Sequence, residues 1–264
     1  MQVKTKLMTA LLLPYSCTFS AQAAELDSVA SSPWRNSIEI YAQALNIRGD
    51  SKVKNLDANV DIDPEFIMDH IDMGAMLRWE SIYENRWGFY LDYSYMKLSG
   101  ETDSLLQPDL SKIRAEMELR QGVLEAKGFK RFTYDFGTID YMAGIRWWDN
   151  DVDTKIHSTN NVGPSINKGN SPSVDWVDWV DYLVGARLTT KLNEDWSTYI
   201  SGDVGLSKDT SFTSALQAGF RYRFNSWSDI NLSYKSTWVD YDNGDTFAYN
   251  TATQGFLVGW AAYF

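Results

Sequence analysis

From Ile38 to Phe264, apolar and polar residues alternate with a period of two, and no stretch keeps a 3.6-residue period over three turns. A chain with that pattern folds as sheet with one apolar and one polar face. In Trp87-Gly88-Phe89-Tyr90-Leu91-Asp92-Tyr93-Ser94-Tyr95 the odd positions are apolar or aromatic. In Ile113-Arg114-Ala115-Glu116-Met117-Glu118-Leu119-Arg120 every second residue is charged. The last run puts Phe256, Val258, Trp260, Ala262 and Phe264 on one face. The alternation predicts ten strands, over 38–47, 69–80, 87–98, 113–126, 134–148, 177–190, 196–206, 212–224, 227–240 and 251–264. Short connectors at 83–86, 127–131, 193–195 and 225–226 mostly alternate with longer ones at 48–68, 99–112, 149–176 and 241–250. That is the rhythm of an all-β, antiparallel up-and-down barrel of the transmembrane kind, with tight turns at one end and loops at the other.

The first residues follow another rule. Lys4 and Lys6 precede an apolar run from Leu7 to Leu13, and Ala21-Gln22-Ala23 offers the small-x-small pattern of a cleavage site. The expectation is a signal peptide over 1–23 and one barrel domain over 24–264. The single cysteine, Cys17, falls inside that segment, so the remaining chain can form neither disulfides nor thiolate metal sites. Removing Lys4 and Lys6 shifts the net charge from -11 to -13. Such acidity argues against nucleic acid as a partner.

Which face meets lipid is decided by where the charges stand. The polar face carries Glu39, Asp72, Glu80, Asp92, Glu116, Glu118, Asp140, Asp181 and Asp203 against Arg78, Arg114, Arg120, Arg146, Arg187, Arg221, Arg223 and Lys235. Near neutrality suits a self-paired network in a lumen. The other face is almost free of charge, as lipid requires, since a midplane Lys or Arg costs about 2–4 kcal/mol. Aromatic residues gather at strand ends: Trp34, Trp87, Trp196 and Trp227 near the short turns, and Trp147, Trp148, Trp176, Trp179 and Trp238 near the loops. They read as two girdles at the headgroup level. A soluble, periplasmic lipocalin-like barrel is the competing fold, with the same period and an apolar interior.

Asp175-Trp176-Val177-Asp178, Val184-Gly185-Ala186-Arg187, Gly202-Asp203-Val204-Gly205, Gly219-Phe220-Arg221-Tyr222-Arg223-Phe224 and the terminal Phe264 resemble a group of small Gram-negative outer-membrane β-barrel proteins. Arg86-Trp87-Gly88-Phe89 and Leu98-Ser99-Gly100 extend the resemblance more loosely. It implies a cell outer-membrane barrel of a kind that mostly lacks an assigned activity. It also implies that Phe264, with Phe256, Val258 and Trp260 before it, is the signal recognised by the barrel-assembly machinery.

Little chemistry is signposted. His70, flanked by Asp69 and Asp72 and followed by Glu101 and Asp103, is the best candidate for a rim hydrolase, an omptin-like protease or a lipid hydrolase. No omptin motif surrounds these residues, and His157 stands alone. Asp149-Asn150-Asp151-Val152-Asp153 and Asp240-Tyr241-Asp242-Asn243-Gly244-Asp245 space carboxylates as Ca²⁺ loops do, without the Gly and Glu of an EF-hand. The expectation is therefore a monomeric, non-enzymatic surface barrel without cofactor, structural or narrow-channel and porin-like. Its acidic loops face outward, and its partners are outer-membrane lipid and lipopolysaccharide.

Overall fold

The computed structural model describes residues 32–53, 56–102, 113–160, 163–165, 174–244 and 247–264, with 53, 56–59, 100–102, 113–117, 152–160, 163–165 and 174–176 as backbone only. Their elements, in chain order, are β1 (Trp34–Val53), β2 (Leu56–Ile62), α1 (Pro64–His70), β3 (Ile71–Tyr83), β4 (Trp87–Thr102), β5 (Ile113–Tyr134), β6 (Gly137–Asn160), β7 (Gly163–Ser165), β8 (Val174–Lys191), β9 (Trp196–Leu206), β10 (Thr210–Arg223), β11 (Ser228–Asp242) and β12 (Phe247–Tyr263). Sequential antiparallel pairing runs from β1 and β3 round to β12, which closes on β1 from Ser37↔Tyr263 to Val53↔Phe247. Ten strands thus form a closed barrel, and the short β2 and β7 only extend β1 and β6. The predicted signal segment lies outside the described residues.

Turn chemistry fixes the short-turn end. Glu84 and Asn85 both adopt positive φ, 47° and 53°, which is the type I′ geometry that matches strand twist in a hairpin. At β8–β9, Asn193 Oδ1 accepts from the amides of Asp195 and Trp196 at 2.9 and 2.8 Å. One turn differs from expectation. Residues 127–131, read as a connector from their glycine and three cations, lie within β5, and the turn falls at Asp135-Phe136. Gly128 pairs with Phe89 and Ala143. Lys127 and Arg131 are strand residues whose charges are answered by acids inside the barrel.

At the other end, much of what the sequence presented as loop is strand. β5 and β6 stay paired out to Ile113↔Ser158, and β1 pairs with β2 up to Val53↔Leu56. Then α1 starts at Asp63, whose carboxylate accepts from the Phe66 amide at 2.7 Å, with Pro64 opening the helix. The helix turns Ile67 inward onto Leu45, Ile47, Met96 and Leu98.

The two faces of the wall have the reverse polarity of a soluble barrel. Ile40, Val184 and Phe256 are 60%, 61% and 66% exposed on the outside, whereas Asp140, Arg146 and Asp181 are 0% exposed inside. Phe256, Val258, Trp260 and Phe264 all stand exposed, as do Trp34, Trp87, Trp196, Trp227 and Trp238. Trp147 is half-buried on the outward register of β6. Trp176 lies on β8, with its side chain outside the described set.

Candidate functional site: the barrel lumen

Moving inward from the short turns, the lumen is layered. Asp140, on β6, is gripped by two arginines: Arg131 Nε and Nη2 reach it at 2.6 and 2.8 Å, and Arg187 at 3.0 and 2.8 Å. Arg187 Nη1 also holds Glu80 at 2.6 Å. Next, Arg78 bridges Asp92 at 2.9 Å and Glu39 at 3.3 Å. Arg221 and Asn231 complete the shell of Glu39 at 2.8 and 2.7 Å, and the hydroxyls of Tyr41 and Tyr90 donate to Asp92. Deeper still, Lys127 sits between Glu125 and Asp203 at 2.6 and 2.7 Å. Arg146 spans the same two acids and Thr213, and Lys235 adds a contact to Glu125 at 3.0 Å. Each of these buried carboxylates therefore has a cation within contact, which a low-dielectric interior requires.

Small and aromatic residues make this crowding possible. A Cβ on Gly259 would stand 2.4 Å from Glu39 Oε1, and one on Gly88 would stand 2.3 Å from the Phe129 ring. Phe129 packs with Ile82, Tyr90 and Met142. Arg131 and Arg187 lie over its ring at 5.6 and 5.3 Å, so the cluster doubles as a cation platform.

Above the ion pairs the lumen becomes apolar. Trp148 stacks on Trp179 at 5.5 Å and Trp179 on Tyr241 at 3.9 Å, with Val239 and Phe247 beside them. Trp148 Nε1 donates to Asp181 at 3.0 Å. Both tryptophans were expected in the outer girdle, yet both point inward. Their strand register leaves no choice: Trp148 and Trp179 share the face of Arg146 and Asp181. The cluster of Ile67 fills the opposite side of the barrel. Toward the short turns, by contrast, the lumen opens into a cavity of about 940 Å³.

Several sequence-expected lumen residues lie elsewhere. Glu118 and Arg120 are on the outward register of β5, because Leu119, Gln121 and Glu125 take the inward one. Outside, Glu118 pairs with Lys97 at 3.1 Å and Arg120 with Asp151 at 3.4 Å. Asp72 sits at the β3 bulge, exposed, 3.8 Å from Lys97. Gly122 shares this outward register. Arg114 and Glu116 belong to β5, with side chains outside the described set. Arg223, by contrast, keeps the inward register of β10 and lines the cavity at its exposed mouth. Sequence reasoning missed Lys127 and Arg131, which the assumed turn had removed from the strand, and Glu125, which stands on the register opposite to the one assigned to the lumen in β5.

The rim offers no assembled dyad among the described residues. His70 Nδ1 lies 2.8 Å from the Phe66 carbonyl, and its ring stacks on Phe66 at 4.0 Å. Glu101 and His157 have undescribed side chains, and Asp103 lies outside the described residues. Asp149 and Asp151 sit in β6, paired with Gly122 and Arg120, so the first calcium-like spacing belongs to a strand rather than a loop.

No family model matches the chain, and no curated protein matches it. Solved structures with a similar fold include the outer membrane protease OmpT from Escherichia coli, at 10% identity and TM-score 0.47, over 89% of this chain and 98% of that one. Another is Neisserial surface protein A, at 11% identity and TM-score 0.31, over 88% and 97%. A third is Ail, the attachment invasion locus protein of Yersinia pestis, at 9% identity and TM-score 0.36, over 88% and 99%. All three are bacterial β-barrel proteins, and their activities stay with them.

Proposed function

We propose that the chain is an integral outer-membrane barrel, non-enzymatic, whose lumen is closed to diffusion in its loop-side half. The supporting observation is the reversed polarity of the wall: buried charge within, exposed Ile, Val, Leu, Phe and Trp without. In water that exterior would be a hydrophobic patch far beyond what a monomeric soluble protein carries. In lipid it is required. Short turns then face the periplasm, and α1 with the long hairpins faces outward. Trp34, Trp87, Trp196 and Trp227 mark one headgroup level and Trp238 the other. Phe256, Val258 and Trp260, exposed on one face of β12, and Phe264 directly after it supply the assembly signal. A closed barrel leaves no wall strand unpaired along the lipid band and needs no partner strand to complete it, which supports reading the functional unit as a monomer in contact with lipid and lipopolysaccharide.

Two measurements test this. Extracted protein should partition with detergent and migrate in a heat-modifiable way; solubility without detergent refutes the membrane reading. In planar bilayers the wild type should give no discrete conductance steps, and steady single-channel steps refute closure. A non-enzymatic barrel should also leave peptide and lipid substrates at background, in wild type and His70→Ala alike.

A further inference from the structure

The pairing scheme of the lumen leaves three cations over. Arg35 on β1, Lys191 on β8 and Arg223 on β10 line the mouth of the 940 Å³ cavity and make no ion pair among the described residues. All three occupy inward registers: Arg35 precedes Ser37 and Glu39, Lys191 follows Arg187, and Arg223 follows Arg221. The acids deeper in the same cavity are already engaged. Glu39 takes Arg78 and Arg221, Glu80 takes Arg187, and Glu125 and Asp203 share Lys127 and Arg146. The other acids of the lining are Asp229, which accepts from the Tyr263 hydroxyl at 2.7 Å, and Asp135 in the β5–β6 turn, and the β8–β9 turn adds Asp195, whose carbonyl accepts from the Arg223 amide at 2.8 Å.

The balance of charge at the mouth runs against the rest of the molecule. Nine basic and six acidic residues line the cavity, and Asp92 and Asp140 behind that lining neutralise Arg78, Arg131 and Arg187, so the surplus that remains sits at the mouth, in a chain of net charge -11. A concave site with low-dielectric walls concentrates such a field, and guanidinium forks match phosphate and carboxylate geometry. The volume lies within the range of pockets that hold small ligands. The lining ends short of the aromatic and apolar clusters, so on the closure proposed above the cavity is a blind pocket rather than a passage.

We infer that this pocket binds a small soluble oligoanion, a molecule with two or more phosphate or carboxylate groups, held at the mouth by Arg35, Lys191 and Arg223. Only the side of entry, the periplasm, rests on the membrane reading; binding itself is measured in detergent and stands or falls separately from conductance.

The test is titration calorimetry of the full chain in nonionic detergent with inorganic tripolyphosphate and, separately, citrate, at about 20 mM salt where screening is weak. Saturable binding is expected, weakening as salt rises. The triple substitution Arg35→Gln, Lys191→Gln, Arg223→Gln should lower affinity on the order of tenfold, since it removes the mouth's unneutralised charge. Heat-modifiable migration reports whether that variant is folded; if it is not, Arg223→Gln alone should lower affinity by about threefold. Tighter binding of tripolyphosphate assigns a phosphate ligand, and tighter binding of citrate a carboxylate one. Arg48→Gln, at the opposite end of the barrel, should bind as wild type does. No saturable binding by folded wild type, equal binding by the folded mouth variant, or an equal loss in Arg48→Gln overturns the inference.

Discussion

The two halves of the lumen solve one problem with opposite materials. Near the short turns the interior is filled by ion pairs, with Asp140, Arg146, Glu125 and Asp203 among the most buried groups in the molecule. Near the loops it is filled by stacked rings and aliphatic side chains, Trp148, Trp179 and Tyr241 on one side and Leu45, Ile47 and Ile67 on the other. The charged half cannot shed a member cheaply, because each charge holds another. The apolar half loses only the packing that is removed, because its contacts are additive and non-directional. The difference suggests a division of labour: ion pairs set the shape of the barrel, and the rings set its closure.

The largest effect that would break this comparison is expected at Arg146. Its guanidinium is fully buried and touches Glu125 at 3.2 Å, Asp203 at 2.9 Å and Thr213 at 2.9 Å. Arg146→Ala should cost about 3–5 kcal/mol, the usual penalty for leaving buried partners uncompensated. The measurement is the urea midpoint of the folded, heat-modifiable form. Conductance should stay absent, since the ring stack above is untouched. Channel steps in this variant, or a loss under about 1 kcal/mol, would mean that the ion pairs do not govern shape.

Trp179→Ala is the complementary case. Trp179 lies between Trp148 and Tyr241, so truncation opens the stack at its centre. A loss of about 3 kcal/mol is expected from the cavity left behind. The decisive readout is electrical: discrete conductance steps should appear in bilayers. If the variant stays silent, closure lies with the Ile67 cluster or with the ion pairs.

How legible was this division in the sequence? The wall was. Alternation placed Phe220, Leu232, Val258 and their neighbours outside, and the same period placed Arg78, Asp92, Arg187 and Arg221 inside. Most of the failures concern the loop-side ends of the strands. There charge stands on both faces, as Glu118 and Arg120 outside and Asp181 inside show, so it no longer reports direction. Glu118 and Arg120 look like lumen residues because they alternate with Met117 and Leu119, yet it is Leu119 that packs inward. Trp148 and Trp179 stand where girdle tryptophans belong, and composition cannot separate a ring facing lipid from one facing a plug. At the other end, Lys127-Gly128-Phe129-Lys130-Arg131 has the makeup of a turn. Only the barrel's long-range pairing, with Lys127 reaching Asp203 seventy-six residues away, reveals it as strand.

A smaller perturbation within the charged half sharpens the comparison. The Tyr90 hydroxyl donates to Asp92 Oδ2 at 2.7 Å, while its ring faces Arg78 and Lys127 at 5.4 and 5.5 Å. Tyr90→Phe keeps the ring and deletes one donor, for an expected loss of about 1.5 kcal/mol by urea denaturation. Asp92 keeps Arg78 and the Tyr41 hydroxyl. A change below about 0.5 kcal/mol would show that one donor to this carboxylate is redundant.

The smallest expected effect isolates what makes the network costly to break. Arg48 and Asp61 pair at 3.0 Å beyond the lumen, on the extended β1–β2 hairpin, with side chains 62% and 64% exposed. Arg146 and Asp203 pair at 2.9 Å with side chains 0% and 4% exposed. Chemistry and distance are nearly the same, so any difference between the pairs belongs to their surroundings. Water already solvates Arg48 and Asp61 when they separate, and the pair must order two long side chains to form, so Arg48→Ala should change stability by less than about 0.5 kcal/mol. Its salt dependence should also vanish into the error, whereas the loss at Arg146 should persist at high salt because ions do not reach it. Comparable losses at the two arginines would refute burial as the source of the network's strength, and with it the assignment of barrel shape to the charged half.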